Sequence, residues 1–163
     1  MHKQTLIAWL KRAHTMETQS LPILHAQMTD ARKDFPARAR FQAHIRETEQ
    51  HAARMSEALA SLGSAPVRGD GDGNAATSIA MAITTRFFSD PLARLAIADF
   101  IAEQFEVSAY TALIAAAEQA GENEVARLCR LNRGEDEDMA EWLDAQIPMA
   151  VERALTALPL GRR

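Results

Sequence analysis

Between residues 6 and 24, Leu6, Leu10, Ala13, Glu17, Ser20 and Leu24 recur at steps of three and four, the spacing of one face of an α-helix. Apolar faces with the same step recur in three further long stretches. A chain with four such faces must bury them against one another, so the reading is helix packed on helix. The composition agrees: 47% of residues are hydrophobic, and there is one Tyr and two Trp among 163 residues, with alanine abundant, which favours helix over sheet. One member of the first face, however, is a glutamate. A soluble helix normally turns such a group outward.

The other three stretches repeat the anomaly. In the second, Phe41, His44, Glu47 with Thr48, His51, Met55 and Leu62 share a face. In the third, Glu103 and Glu106 fall on the line through Leu92, Asp99, Tyr110, Leu113 and Ala117. In the fourth the line runs Leu128, Leu131, Glu135, Asp138 and Trp142. Burying an unpaired carboxylate costs several kcal/mol, and several together repel one another. A pair of metal cations removes both costs, and residues at i and i+3 or i+4 on one face can reach the same ions.

Helix boundaries follow from local chemistry. The first long helix spans about 5–29, with Pro22 inside it as an expected kink. The second starts at Asp34-Phe35-Pro36, an N-cap with first-turn proline, and stops at Gly63. The loop at 63–74 is followed by a short helix over about 75–88, with Asn74 as its expected cap. Asp90-Pro91 opens the third long helix, which runs to Gly121. The fourth ends near Pro148, and residues 149–163 form a short tail helix. The expectation is therefore one all-α domain, 1–163, with a bundle core over about 5–146. Asp70, Asp72 and Asn74 resemble the start of a calcium loop, but Ala75 and Met81 stand where an EF-hand needs Gly and Glu, which excludes it.

The bulk properties exclude other classes. A net charge of −4 does not suit a general nucleic-acid binder, and the basic stretch 31–41 reads as a solvated helix start. The single cysteine, Cys129, cannot close an internal disulfide, which fits a reducing compartment. No stretch has the length of apolar residues that a membrane span needs and none reads as a signal peptide, so a cytoplasmic location is expected.

The pieces METQSL (16–21), HIRETEQHAARM (44–55), IAEQFEVSAYTALIAAAEQAG (101–121) and EDEDMAEWL (135–143) resemble the YciF/YciE family of ferritin-like proteins. The resemblance covers about residues 5–146. It implies a ferritin-like antiparallel four-helix bundle with a long crossover between the second and third long helices, that crossover containing the short helix. It also implies a carboxylate-bridged binuclear iron or manganese centre with ligands arranged as in rubrerythrin. Carried over by position, the metal residues are Glu17, Glu47, Glu103, Glu106 and Glu135. Gln50 stands where the family pattern has a histidine, with His51 one step on and either able to face the site, and Asp138 stands at the corresponding position of the last helix. So oxygen-rich a ligand set favours Fe or Mn. The resemblance further implies a stress-associated homodimer whose centre reacts with peroxide or dioxygen, drawing electrons from a separate donor. The alternative is a non-catalytic bundle with a degenerate site, for which Gln50 and Asp138 speak.

Overall fold

A computed structural model describes residues 2–30, 35–67 and 75–157. Among these residues every regular element is a helix: α1 His2–Asp30, α2 Phe35–Ser61, α3 Ala75–Phe87, α4 Pro91–Gln119 and α5 Asn123–Ala157. Asn74, the expected cap of α3, lies outside the described residues, as do residues 31–34 and most of the 63–74 loop.

The ends of these helices show why the chain turns where it does. Asp90 caps α4, its Oδ1 accepting the backbone N–H of Ala93 at 3.1 Å, and Pro91 occupies the first helical position, where its missing N–H costs nothing. Beyond α2, Gly63 adopts φ +74°, and beyond α4, Gly121 adopts φ +72°. At each, two backbone bonds reach back over the last turn: Gly63 N–H to Ala60 and Ser64 N–H to Leu59, and likewise Gly121 to Glu118 and Glu122 to Ala117. This is the Schellman closure, which needs a left-handed residue that glycine supplies without strain.

Two prolines behave otherwise than their usual role suggests. Pro22 lies within α1 and Pro148 within α5. The short C-terminal helix expected after Pro148 is the continuation of α5, which runs on to Ala157. In a helix so long, the turns on both sides hold the proline in place, although its ring removes one bond from the ladder.

The chain divides into two compact units, 1–74 with 108–135, and 75–107 with 136–163. In the first, α1 packs against α2, and one apolar cluster joins Leu6 and Leu10 of α1, Met55 and Leu59 of α2 with Leu62 just beyond it, Tyr110, Leu113 and Ala117 of α4, and Val125, Leu128 and Cys129 of α5. The first-helix face expected from its spacing is buried at every position, Glu17 and Ser20 included. In the second unit the buried residues are mostly small: Ala80 and Thr84 of α3, Ala93, Ala98 and Ala102 of α4, and Met139, Ala140 and Leu143 of α5. There α3 leaves Ile79, Ile83 and Phe87 exposed.

Candidate metal centre

In the first unit Glu17, His51, Tyr110, Asn132 and Glu135 form one network. Glu17 on α1 is fully buried. Its Oε1 accepts a short hydrogen bond, 2.5 Å, from Tyr110 Oη on α4. Its Oε2 has no hydrogen bond and lies 3.4 Å from His51 Nδ1 on α2. The other nitrogen of His51, Nε2, is 2.7 Å from Glu135 Oε2 on α5. Tyr110 also accepts from Asn132 Nδ2 at 2.8 Å, and the rings of His51 and Tyr110 meet edge to face, 6.2 Å apart at 78°.

Proton positions on His51 follow from its partners. Glu135 is gripped by a guanidinium: Arg54 Nη1 donates to Oε2 at 2.7 Å and Nη2 to Oε1 at 3.0 Å. Partial burial works against the charged form of Glu135, but the hydrogen bonds from Arg54 and His51, with the charges they carry, outweigh it and lower its pKa. A carboxylate in that state accepts, so His51 donates from Nε2. Nδ1 is then the ring nitrogen that faces Glu17 Oε2. A carboxylate oxygen and an imidazole nitrogen facing one another in a buried place are joined by a proton or a cation between them. A metal ion suits the gap, since 3.4 Å is compatible with two ligand atoms about 2.1 Å from a shared ion. The Glu135–His51 arrangement is the carboxylate–histidine pairing that orients metal-ligating imidazoles.

Glu47 is committed elsewhere. Its Oε2 lies 3.1 Å from His44 Nδ1 and accepts from Arg40 Nη1 at 2.8 Å. The hydrogen bond to His44 chiefly depresses its pKa; partial burial opposes, Arg40 adds its own bond and charge, and the result is about 2.

In the second unit Glu103 and Glu106 of α4 and Asp136 of α5 are buried, and Glu103 and Asp136 bring carboxylate oxygens within 4.8 Å of one another. Glu103 and Glu106 lie one turn apart on the same face of α4. The chain thus has buried His, Glu and Asp groups that could hold a metal.

Of the residues expected from the sequence, Glu17, His51, Glu103 and Glu106 are buried, and Glu47 and Glu135 are half-buried. Two face solvent. Gln50 is exposed and accepts from Arg54 Nη2 at 3.1 Å. Successive helical residues point about 100° apart, so only one of Gln50 and His51 can turn inward, and it is His51. Asp138 is exposed as well, and Asp136 is buried in its stead. The whole buried face of α5 runs through Leu128, Asn132, Asp136, Met139 and Leu143, one residue round from the expected line, with Leu131 exposed and Trp142 half-buried. Four consecutive acids, Glu135 to Asp138, erase the polar–apolar contrast on which a register reading depends. Arg54 and Asn132 were absent from the sequence reading. Asn132 carried a usable signal, a polar residue one turn beyond Leu128 and Cys129 on their face; Arg54 carried none.

Among the described residues no helix is long and apolar enough to cross a membrane. The family described as "Domain of unknown function (DUF892)" matches residues 1–156. A protein from Xanthomonas campestris pv. campestris is similar in structure, with a TM-score of 0.78 and 25% identity over 95% of this chain and 96% of that one. YcfI from Rhodopseudomonas palustris has a TM-score of 0.74 and 20% identity over 88% and 93% of the two chains. The E. coli stress protein YciF has a TM-score of 0.72 and 19% identity over 93% and 98%. The fold is the all-α, ferritin-like bundle of YciF, as the sequence resemblance implied.

Proposed function

The chain belongs to the DUF892 family, and from that premise we propose that it is a YciF-like metal protein that holds iron or manganese at Glu17 and His51 and reacts with peroxide or dioxygen. The observation that supports this most is the fully buried Glu17 Oε2, without a hydrogen bond and 3.4 Å from His51 Nδ1. In the second unit the buried Glu103, Glu106 and Asp136 are proposed as metal-holding acids in their own right. Iron or manganese held by these residues would supply electron exchange with peroxide or dioxygen.

The protein's own residues prepare the place. Tyr110 Oη, donating to Oε1, fixes the Glu17 carboxylate and leaves Oε2 as its free donor. Glu135 sets the His51 tautomer. Met55 and Leu59, both fully buried along the same face of α2 as His51, exclude water and strengthen every charge interaction inside. With one cysteine in the chain, no internal dithiol supplies electrons, so the reading includes a separate reductant. It also includes a homodimer in the cytoplasm, and a part in stress defence by analogy with YciF, which is described as a stress protein.

One observation favours a second reading. Arg40 on Glu47 and Arg54 on Glu135 already neutralise two of the acids, as they would in a non-catalytic bundle that keeps the fold alone. The test is anaerobic loading with Fe(II) or Mn(II), removal of free ions and elemental analysis, followed by peroxide consumption. The metal reading expects bound metal in the wild type, its loss in Glu17→Ala and His51→Ala, and peroxide consumption that tracks metal content. Metal without peroxide consumption supports the second reading; a wild type that retains no metal sinks the first.

A further inference from the structure

Glu135 is the ligand that the family resemblance implies for the last long helix, yet both of its oxygens are taken by Arg54, which donates to Oε2 at 2.7 Å and to Oε1 at 3.0 Å. The guanidinium is itself held in place by Gln50 Oε1 at 3.1 Å and Asn132 Oδ1 at 3.0 Å. A planar fork satisfied at four acceptors is pre-organised and strongly bound. Asn132, in turn, donates to Tyr110 Oη at 2.8 Å and, at 3.4 Å, to the backbone carbonyl of His51. Arg54 is thereby tied to the same residues that frame Glu17 and His51.

We infer that Arg54 is a built-in cation that sets the order of metal loading. The first ion enters at Glu17 Oε2 and His51 Nδ1 and leaves the Arg54–Glu135 pair intact, because Glu135 is needed there as the outer carboxylate that orients His51. A second ion that uses Glu135 as a ligand must take it from the guanidinium, and it must do so against the repulsion of a fixed positive charge. Loading is therefore stepwise, with the second affinity well below the first. Arg54 touches neither ion in this scheme and acts through Glu135 as a positioning residue. The inference rests on Glu17 and His51 being metal ligands.

The experiment is titration of the metal-free protein with Mn(II) alone, reading heat and the electron paramagnetic resonance signal of free Mn(II), in wild type, Arg54→Gln and Arg54→Lys. Far-ultraviolet circular dichroism checks that each variant is folded. In wild type the second step is expected at least about tenfold weaker than the first, or absent from the accessible range. Arg54→Gln should strengthen the second step by roughly 10- to 100-fold while leaving the first within a few-fold. Arg54→Lys, which keeps the charge and loses the fork, should fall between the two, and it serves in place of Arg54→Gln if that variant does not fold. Two equal steps in wild type, or variants with the wild-type gap, overturn the inference while the metal reading stands. An equal loss of both steps in the variants overturns it too, since that is what a merely structural role produces. A wild type that binds no Mn(II) takes both down together.

Discussion

Replacing Tyr110 with Phe removes one oxygen from the centre of the buried network and alters nothing else in shape. The ring stays, so no cavity opens in the cluster formed with Leu6, Met55 and Leu113, and the edge contact with His51 is kept. Two hydrogen bonds are lost. The donation to Glu17 Oε1 at 2.5 Å is charge-assisted, a kind that contributes about 1.5–3 kcal/mol, and the bond from Asn132 Nδ2 at 2.8 Å is of the neutral kind, about 0.5–1.5 kcal/mol. Tyr110, Glu17 and Asn132 are all at 0% exposure, so water does not replace what is lost. The expected destabilisation of the metal-free protein is about 2–4 kcal/mol, which lowers Tm by roughly 5–15 °C in a chain of this size. Urea denaturation followed by far-ultraviolet circular dichroism measures it. A cycle with Glu17→Met should return a coupling of about 1–2 kcal/mol, because each substitution removes the same bond. A Tyr110→Phe protein within about 0.5 kcal/mol of wild type would refute the reasoning and mean that Glu17 is hydrated or otherwise satisfied.

Other expectations concern separate parts of the molecule. Glu47 has its pKa depressed to about 2, chiefly by the His44 hydrogen bond. A carboxyl group lower in the folded state stabilises above its unfolded pKa of about 4.5 and loses that contribution as pH falls toward 2. The stability difference between wild type and Glu47→Gln should accordingly shrink through that window, and a difference constant with pH would contradict the pairing. Burial raises the Cys129 thiol to about 12, so it should resist thiol reagents in the folded protein and react on unfolding; fast native labelling would argue against its position. Leu59→Ala empties a fully buried site and should cost about 2–5 kcal/mol in urea denaturation, whereas a loss below about 1 kcal/mol would mean the cluster collapses around it. Gly63→Ala meets no atom within 4 Å but must hold φ near +74°, which should cost about 1 kcal/mol; an unchanged midpoint would show that the turn re-forms otherwise.

What the sequence made legible follows the strength of its local contrasts. Gly63, Gly121 and Asp90-Pro91 mark helix ends by chemistry that few other residues can perform, and those boundaries appear where they were read. The face of α1 was readable because Glu17 and Ser20 are isolated polar residues among Leu6, Leu10, Ala13 and Leu24. On α5 the contrast fails: with acids at 135, 136, 137 and 138 the sequence does not say which one turns inward, and the buried face lies one residue from the expected line. Pro148 misled for a related reason, since a proline's cost is local while the packing of the turns around it is not. The partners of the acids were the least legible. Arg54 lies 81 residues from Glu135 in sequence, and only the tertiary arrangement of α2 and α5 within the first unit brings them together, so no spacing rule could have found the pair.

The most direct test of the account is pulsed electron paramagnetic resonance on protein loaded with one equivalent of Mn(II), reading nitrogen modulation from a directly bound imidazole in wild type and His51→Gln. The account predicts imidazole nitrogen coupled to the metal in wild type, and its disappearance with weakened binding in a His51→Gln protein that keeps its helical content. Mn(II) bound with equal affinity in both proteins, and without nitrogen modulation in either, would contradict the central claim that Glu17 and His51 hold the ion between them.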